Sequence, residues 1–264
     1  MAKTIKKDGT TVSTKSVYET GHGKNAANFS KLVISVQGMG DKYQPSNDLI
    51  NIKYLIAQDA RVETCMENWA HTERESANAE IARNVVFGEL KPFSTRLLAT
   101  LASSAGVDKR TLADADSINK KIQGARIGKK PEVDPTLPKE LQKRNISASQ
   151  QSFDLKAEHF RKFRTLLASV PGYKPNEEDL TLEAVGKFES RLNQTNETAA
   201  TINDQLVNAK NARNAEIYND ENGLVAVSKL VKTYLKGKGT SHPEFLKVRS
   251  LSFRKLSDKG LALE

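Results

Sequence analysis

At 264 residues with 38% hydrophobic and 28% charged side chains, the chain can fill one large core or two modest ones, and no apolar run is long enough to cross a bilayer. The single cysteine, Cys65, excludes an internal disulfide and a cysteine-based metal cluster, which fits a reducing, cytoplasmic setting. A formal net charge of +9 favours anionic partners without selecting one.

Residues 1–24 are rich in Thr, Ser, Gly and Lys and show no apolar period, so they read as a flexible basic N-terminal arm. They also lack the apolar middle of a secretory signal. Residues 26–37 (AANFSKLVISVQ) then predict a short helix closed by Gly38 and Gly40. Pro45, Ser46, Asn47 and Asp48 form a helix start, and neither Gly nor Pro follows until Gly88. That run of about 40 residues would span roughly 60 Å as one helix. Shorter helices follow over 93–103 and 110–123. Pro131, Pro135 and Pro138 then mark residues 124–149 as an extended basic linker.

The same order returns after the linker. A helical pattern over 159–167 precedes Pro175 and the acids Glu177, Glu178 and Asp179, and only Gly186 interrupts the next run before Asn222 and Gly223. Helices over 224–235 and 243–256 close the chain. An offset of 130 aligns Tyr43 with Tyr173, Pro45 with Pro175, Arg61 with Arg191, and the block SANAEIARN (76–84) with LVNAKNARN (206–214). Val185, Leu192, Ala199 and Leu206 interleave with Phe188, Thr195, Ile202 and Ala209 as a heptad stripe, in register with a weaker stripe through Leu55, Val62, Trp69 and Ser76. The expected architecture is all-α: two tandem, internally duplicated helical bundles, 25–123 and 150–264, each with one long helix and about three shorter ones.

The duplication filters candidate chemistry, because a residue present in one half only cannot belong to a shared site. Glu67, His71 and Glu75 share a helical face, but Glu197, Thr201 and Gln205 replace them, so an exposed ladder is expected rather than a metal site. His22 in GHGK lacks the rest of a phosphate loop and reads as a polar turn, and Cys65 reads as an inward, inert thiol. The sequence holds no HExxH, nucleophile elbow or dinucleotide fingerprint, so no catalytic, cofactor or metal residues are assigned.

Two sets of positions stand out. Asn78, Arg83 and Asn84 match Asn208, Arg213 and Asn214, with both arginines at the next step of the buried stripe. An inward arginine needs an acceptor, so each is expected to bridge carbonyls or carboxylates near a bundle end, or else to form a repeated anion-binding notch. Positive charge collects at the trailing end of each half: residues 120–144 carry eight basic side chains against three acids, and residues 229–259 carry nine against two. Lys120, Lys121, Lys129, Lys130, Lys236, Lys238, Arg254 and Lys255 are the candidate anion or nucleic-acid contacts, although few aromatics lie beside them for stacking.

The runs RNAEIY (213–218), NGLVAV (222–227), KLVKTY (229–234) and SHPEF (241–245), closed by Phe253, Arg254 and Lys255, resemble a group of uncharacterised bacterial proteins with duplicated helical halves. The likeness covers residues 175–256 well and the first half loosely, since that half lacks the Gly-Leu-Val and Ser-Pro elements. It implies a duplicated helical fold and no activity. Two readings of function follow. The first is a non-enzymatic interaction or assembly module that binds a protein partner or itself. The second is a nucleic-acid-binding protein, indifferent to sequence, that uses the basic trailing helices.

Overall fold

A computed structural model describes residues 4–7, 10–13, 21–125 and 151–256. Two short strands, β1 (Thr4–Lys7) and β2 (Thr10–Ser13), pair antiparallel with Lys7 opposite Thr10. Part of the expected flexible arm over 1–24 is therefore a hairpin, and helix begins within it, at His22. The linker expected over 124–149 lies outside the described residues apart from Gly124 and Ala125.

Among the described residues, all other regular structure is helical. The first half supplies α1 (His22–Gln37), α2 (Ile52–Ser103) and α3 (Lys109–Gln123). The second supplies α4 (Phe153–Ala168), α5 (Leu182–Tyr218), α6 (Leu224–Gly237) and α7 (Pro243–Arg249). In α1, Phe29, Leu32, Val33 and Val36 recur at helical spacing and are buried, and the Gly38 amide closes the helix on Ile34 O. In α4, Phe160, Phe163 and Leu167 do the same, with the Ser152 hydroxyl capping Leu155 N at 3.3 Å.

The connections into the long helices share one closure. Tyr43 donates its phenol to Ile50 O at 2.7 Å, and Tyr173 donates to Leu180 O at 2.8 Å. Burial pushes both phenols above the usual tyrosine range, with Tyr234 adding to the effect at Tyr43, and with Glu177 and Asp179 adding to it at Tyr173, which reaches about 12. Each closure includes a 3-10 turn, so the long helices start at Ile52 and Leu182, later than the sequence predicts from Pro45 and Pro175. Asn51 Oδ1 accepts from Tyr54 N at 2.7 Å, and Thr181 Oγ1 accepts from Ala184 N at 3.2 Å.

Two further boundaries, those of α2 and α7, differ from expectation. Helix α2 runs unbroken for 52 residues through Gly88 and Pro92, where a separate helix over 93–103 is predicted. Pro92 has no amide proton to offer Gly88 O, but Leu90, Ser94, Leu97 and Leu101 lie fully buried on either side and hold the helical course. The matching stretch of the second half breaks into a turn over 219–223. There Asn219 Oδ1 accepts from Glu221 N and Asn222 N, and a Cβ at Gly223 would lie 2.5 Å from Asn219 N. Helix α7 ends at Arg249, not at residue 256, and residues 251–256 carry no regular structure.

The helices form two compact units, residues 1–73 with 205–264 and residues 74–204. The expected tandem division, 25–123 against 150–264, is not the one the structure makes. A helix of 52 residues is about 78 Å long, well beyond what one small core covers, so α2 and α5 each serve both units. The first unit buries Phe29, Leu32, Leu55, Ile217, Val231 and Val248 from α1, α2, α5, α6 and α7. The second buries Leu97, Ile122, Phe163 and Leu192 from α2, α3, α4 and α5, around edge-on contacts of Phe188 with Phe93 and Phe160 (4.7 and 5.3 Å between centroids).

Candidate functional site

The heptad register of α5 carries Arg213 inward, and the structure leaves its side chain with no exposure. Its planar guanidinium lies over the Trp69 ring of α2, with Cζ 4.3 Å from the centroid, and donates from Nε and Nη2 to Asn214 Oδ1 at 3.2 and 3.0 Å. The ring of His22, at the first position of α1, meets Trp69 edge-on at 5.8 Å and Tyr218 at 5.5 Å. His22 Nδ1 is 3.0 Å from the Tyr218 hydroxyl. His22 is only 4% exposed, so GHGK is not the polar turn that the sequence suggests but a helix start whose histidine is buried.

Asn25, one turn on, ties this cluster to the chain end. Its side chain donates to Arg254 O at 2.8 Å and accepts from Arg254 N at 3.1 Å, while Asn28 donates to Ser252 O at 2.8 Å. Lys232 Nζ holds the same segment through Arg249 O and Leu251 O at 3.1 and 2.7 Å. A strap over 250–256 therefore lies along α1, its backbone groups taking from asparagine side chains the hydrogen bonds that a helix would have satisfied internally.

The second unit repeats part of this arrangement. Arg83 Cζ lies 4.1 Å from the ring centroid of Phe153, the first residue of α4, and Phe153 meets Phe87 edge-on at 4.8 Å. Phe153 stands 131 residues after His22, and in each unit an arginine from a long helix stacks on an aromatic ring: Arg83 on Phe153 itself, and Arg213 on Trp69, which His22 meets edge-on. Beyond the expected bridging of backbone carbonyls or carboxylates, Arg83 and Arg213 both stack on aromatic faces, and Arg213 also bonds the Asn214 side-chain carbonyl. The fully enclosed Arg213 does not present an anion notch to solvent. Asn78, Asn84 and Asn208 are exposed, and Asn214 is half-buried beside Arg213.

The basic candidates are dispersed and partly neutralised. Lys120 pairs with Asp116 at 2.6 Å and Lys255 with Asp220 at 2.7 Å. Lys238 binds Glu244 at 3.1 Å and the Lys42 carbonyl. Lys236 and Arg254 are exposed and Lys121 is half-buried, whereas Lys129 and Lys130 lie outside the described residues. Glu67, His71 and Glu75 are exposed as expected, and no acidic, His or Cys group suited to a metal ion occurs among the described residues. The Cys65 thiol is half-buried, and burial, followed by Glu216, raises its pKa against the opposing pull of Arg61.

Two surface features escape the periodicity argument. In the second unit, Ile81 is 62% exposed and Val85 59%, one turn apart on α2, in line with exposed Ala77, Gly88 and Pro92. This stripe lies opposite the buried Ala79, Val86 and Leu90, so α2 has two apolar faces there. The signal is visible in sequence as an apolar residue at each of those positions, where the second half has Asn211 and Ala215 in place of Ile81 and Val85. The same unit also contains a groove of about 460 Å³ floored by Phe93, Phe188 and Pro92 and crossed at its edges by Arg96–Asp179 (2.6 Å) and Arg191–Glu89 (3.2 Å). Comparison of the chain with known protein families, curated proteins and solved structures finds no match.

Proposed function

We propose that the chain is an assembly module, built from two related helical halves, that pairs the outer face of α2 with the same face of a second copy. The exposure of Ile81 and Val85 carries this reading: two large aliphatic side chains at i and i+4 point away from a core that the opposite face already fills. Ala77 and Gly88 flank them and permit close approach of another helix. A two-fold pairing would place the same residues on both sides of the contact. The shared Tyr43 and Tyr173 closures and the paired arginine stacks support a common origin for the halves.

Sedimentation velocity from about 1 to 100 µM tests the assembly. The wild type should exceed the monomer mass of 29.1 kDa, and an Ile81→Glu/Val85→Glu variant should return to it with unchanged helix content. A monomeric wild type across that range overturns the reading. The alternative, nucleic-acid binding through the trailing helices, finds less support because Lys120, Lys238 and Lys255 already have partners. Duplex DNA binding that falls steeply with salt and ignores the double variant would favour it instead.

A further inference from the structure

The groove of the second unit can be read against the equivalent place in the first. Position three of α2 is Tyr54, whose ring packs against the first core, with Arg61 Cζ 5.6 Å from its centroid and the guanidinium anchored on Glu216 at 3.2 Å. One turn on, Gln58 donates to Asn222 O at 2.7 Å and seals that region. The matching residues of α5 are Ala184, Arg191 and Phe188. Arg191 keeps its place over an aromatic ring, 5.7 Å from the Phe188 centroid, and is anchored on Glu89 at 3.2 Å. An arginine over a ring and tied to a glutamate thus recurs, although Glu89 and Glu216 do not occupy matching positions, whereas the methyl group of Ala184 stands in the position of the tyrosine ring and the groove is left open.

We propose that this groove binds a small molecule with a phenyl- or phenol-sized ring bearing an acidic group, the ring standing where Tyr54 stands in the first unit. Its volume falls within the roughly 300–1,000 Å³ of small-molecule sites. Phe93, Phe188 and Pro92 offer an apolar floor, and Arg191 offers a cation to a ring face. Arg96, Lys187 and Arg191 outnumber Glu89 and Asp179 in the lining, and Glu183 engages Lys187 only through an exposed i,i+4 pair, which exchanges readily. The site therefore favours an anionic substituent over a cationic one. This inference is separate from the pairing of α2: the two surfaces share only Pro92, and their readouts are different.

Saturation-transfer NMR on the intact protein, with 4-hydroxyphenylacetate, tyramine and cyclohexylacetate as probes, tests it. The aromatic acid should bind with a dissociation constant on the order of 1–10 mM, as expected for a ligand of so few atoms. Tyramine and cyclohexylacetate should each bind several-fold more weakly. Ala184→Tyr, which restores the ring of the first unit, should abolish saturable binding while helix content and Tm hold. Arg191→Gln, which removes an exposed ion pair that contributes little to stability, should weaken the acid several-fold and narrow its advantage over the cyclohexyl analogue. The proposal fails if the acid shows no saturable binding up to about 50 mM, if cyclohexylacetate binds as tightly as the aromatic acid, or if Arg191→Gln leaves all three affinities unchanged.

Discussion

Arg213 shows how a charged side chain can occupy a core position. A buried guanidinium costs several kcal/mol of desolvation unless its surroundings compensate, and here the Trp69 face, Asn214 and its neighbours do so. Arg213→Ala would remove a large side chain with no exposure and leave both a cavity and an uncovered indole. A loss of about 2–4 kcal/mol is expected from urea unfolding. Arg83→Ala, at a half-buried site on the face of Phe153, should lose only about 1 kcal/mol. Equal losses at the two positions would show that enclosure is not what distinguishes them. The heptad series identifies both arginines as inward, because spacing alone fixes which side of a helix a residue faces. What each guanidinium meets depends on Trp69 and Phe153, which lie more than a hundred and some seventy residues away in sequence, and no local pattern encodes that.

At the level of elements, the helix cores and most helix existence are legible in the sequence, whereas several ends are not. The stripe through Val185, Leu192 and Ala199 is buried as its period demands, and so are Leu55 and Val62. The ends fail where tertiary burial overrides local signals. Helix α2 carries Pro92 internally because Leu90 and Leu97 anchor both flanks, and α7 stops at Arg249 because the following residues bond to Asn25 and Asn28 instead of to their own chain. Those asparagines make a direct test possible. In an Asn25→Ala/Asn28→Ala variant, hydrogen exchange across 250–256 should rise by an order of magnitude or more, since each lost bond is worth about 1 kcal/mol. The amides of α6 should keep their protection. A strap as protected as in the wild type would assign its position to Leu251, Phe253 and Leu256 packing on the core, not to the amides.

For the whole molecule, the decisive fact is that one unit is continuous in sequence and the other is not. Residues 74–204 contain every helix segment of the second core, whereas the first core needs residues before 74 together with residues after 204. A fragment spanning 74–204 should therefore unfold cooperatively by circular dichroism, while residues 21–125 alone should not, having one part of each core and the whole of neither. Cooperative melting of 21–125 would instead restore the tandem division that the repeat suggests. The same arrangement sets an order of events during translation. The central unit has all its parts once residue 204 has left the ribosome, but α1 must keep Phe29 and Leu32 from solvent or from other chains until the final helices emerge some fifty residues later. Helix α1 is thus made before the helices that cover it, and the interval of its exposure is set by how fast the intervening message is read.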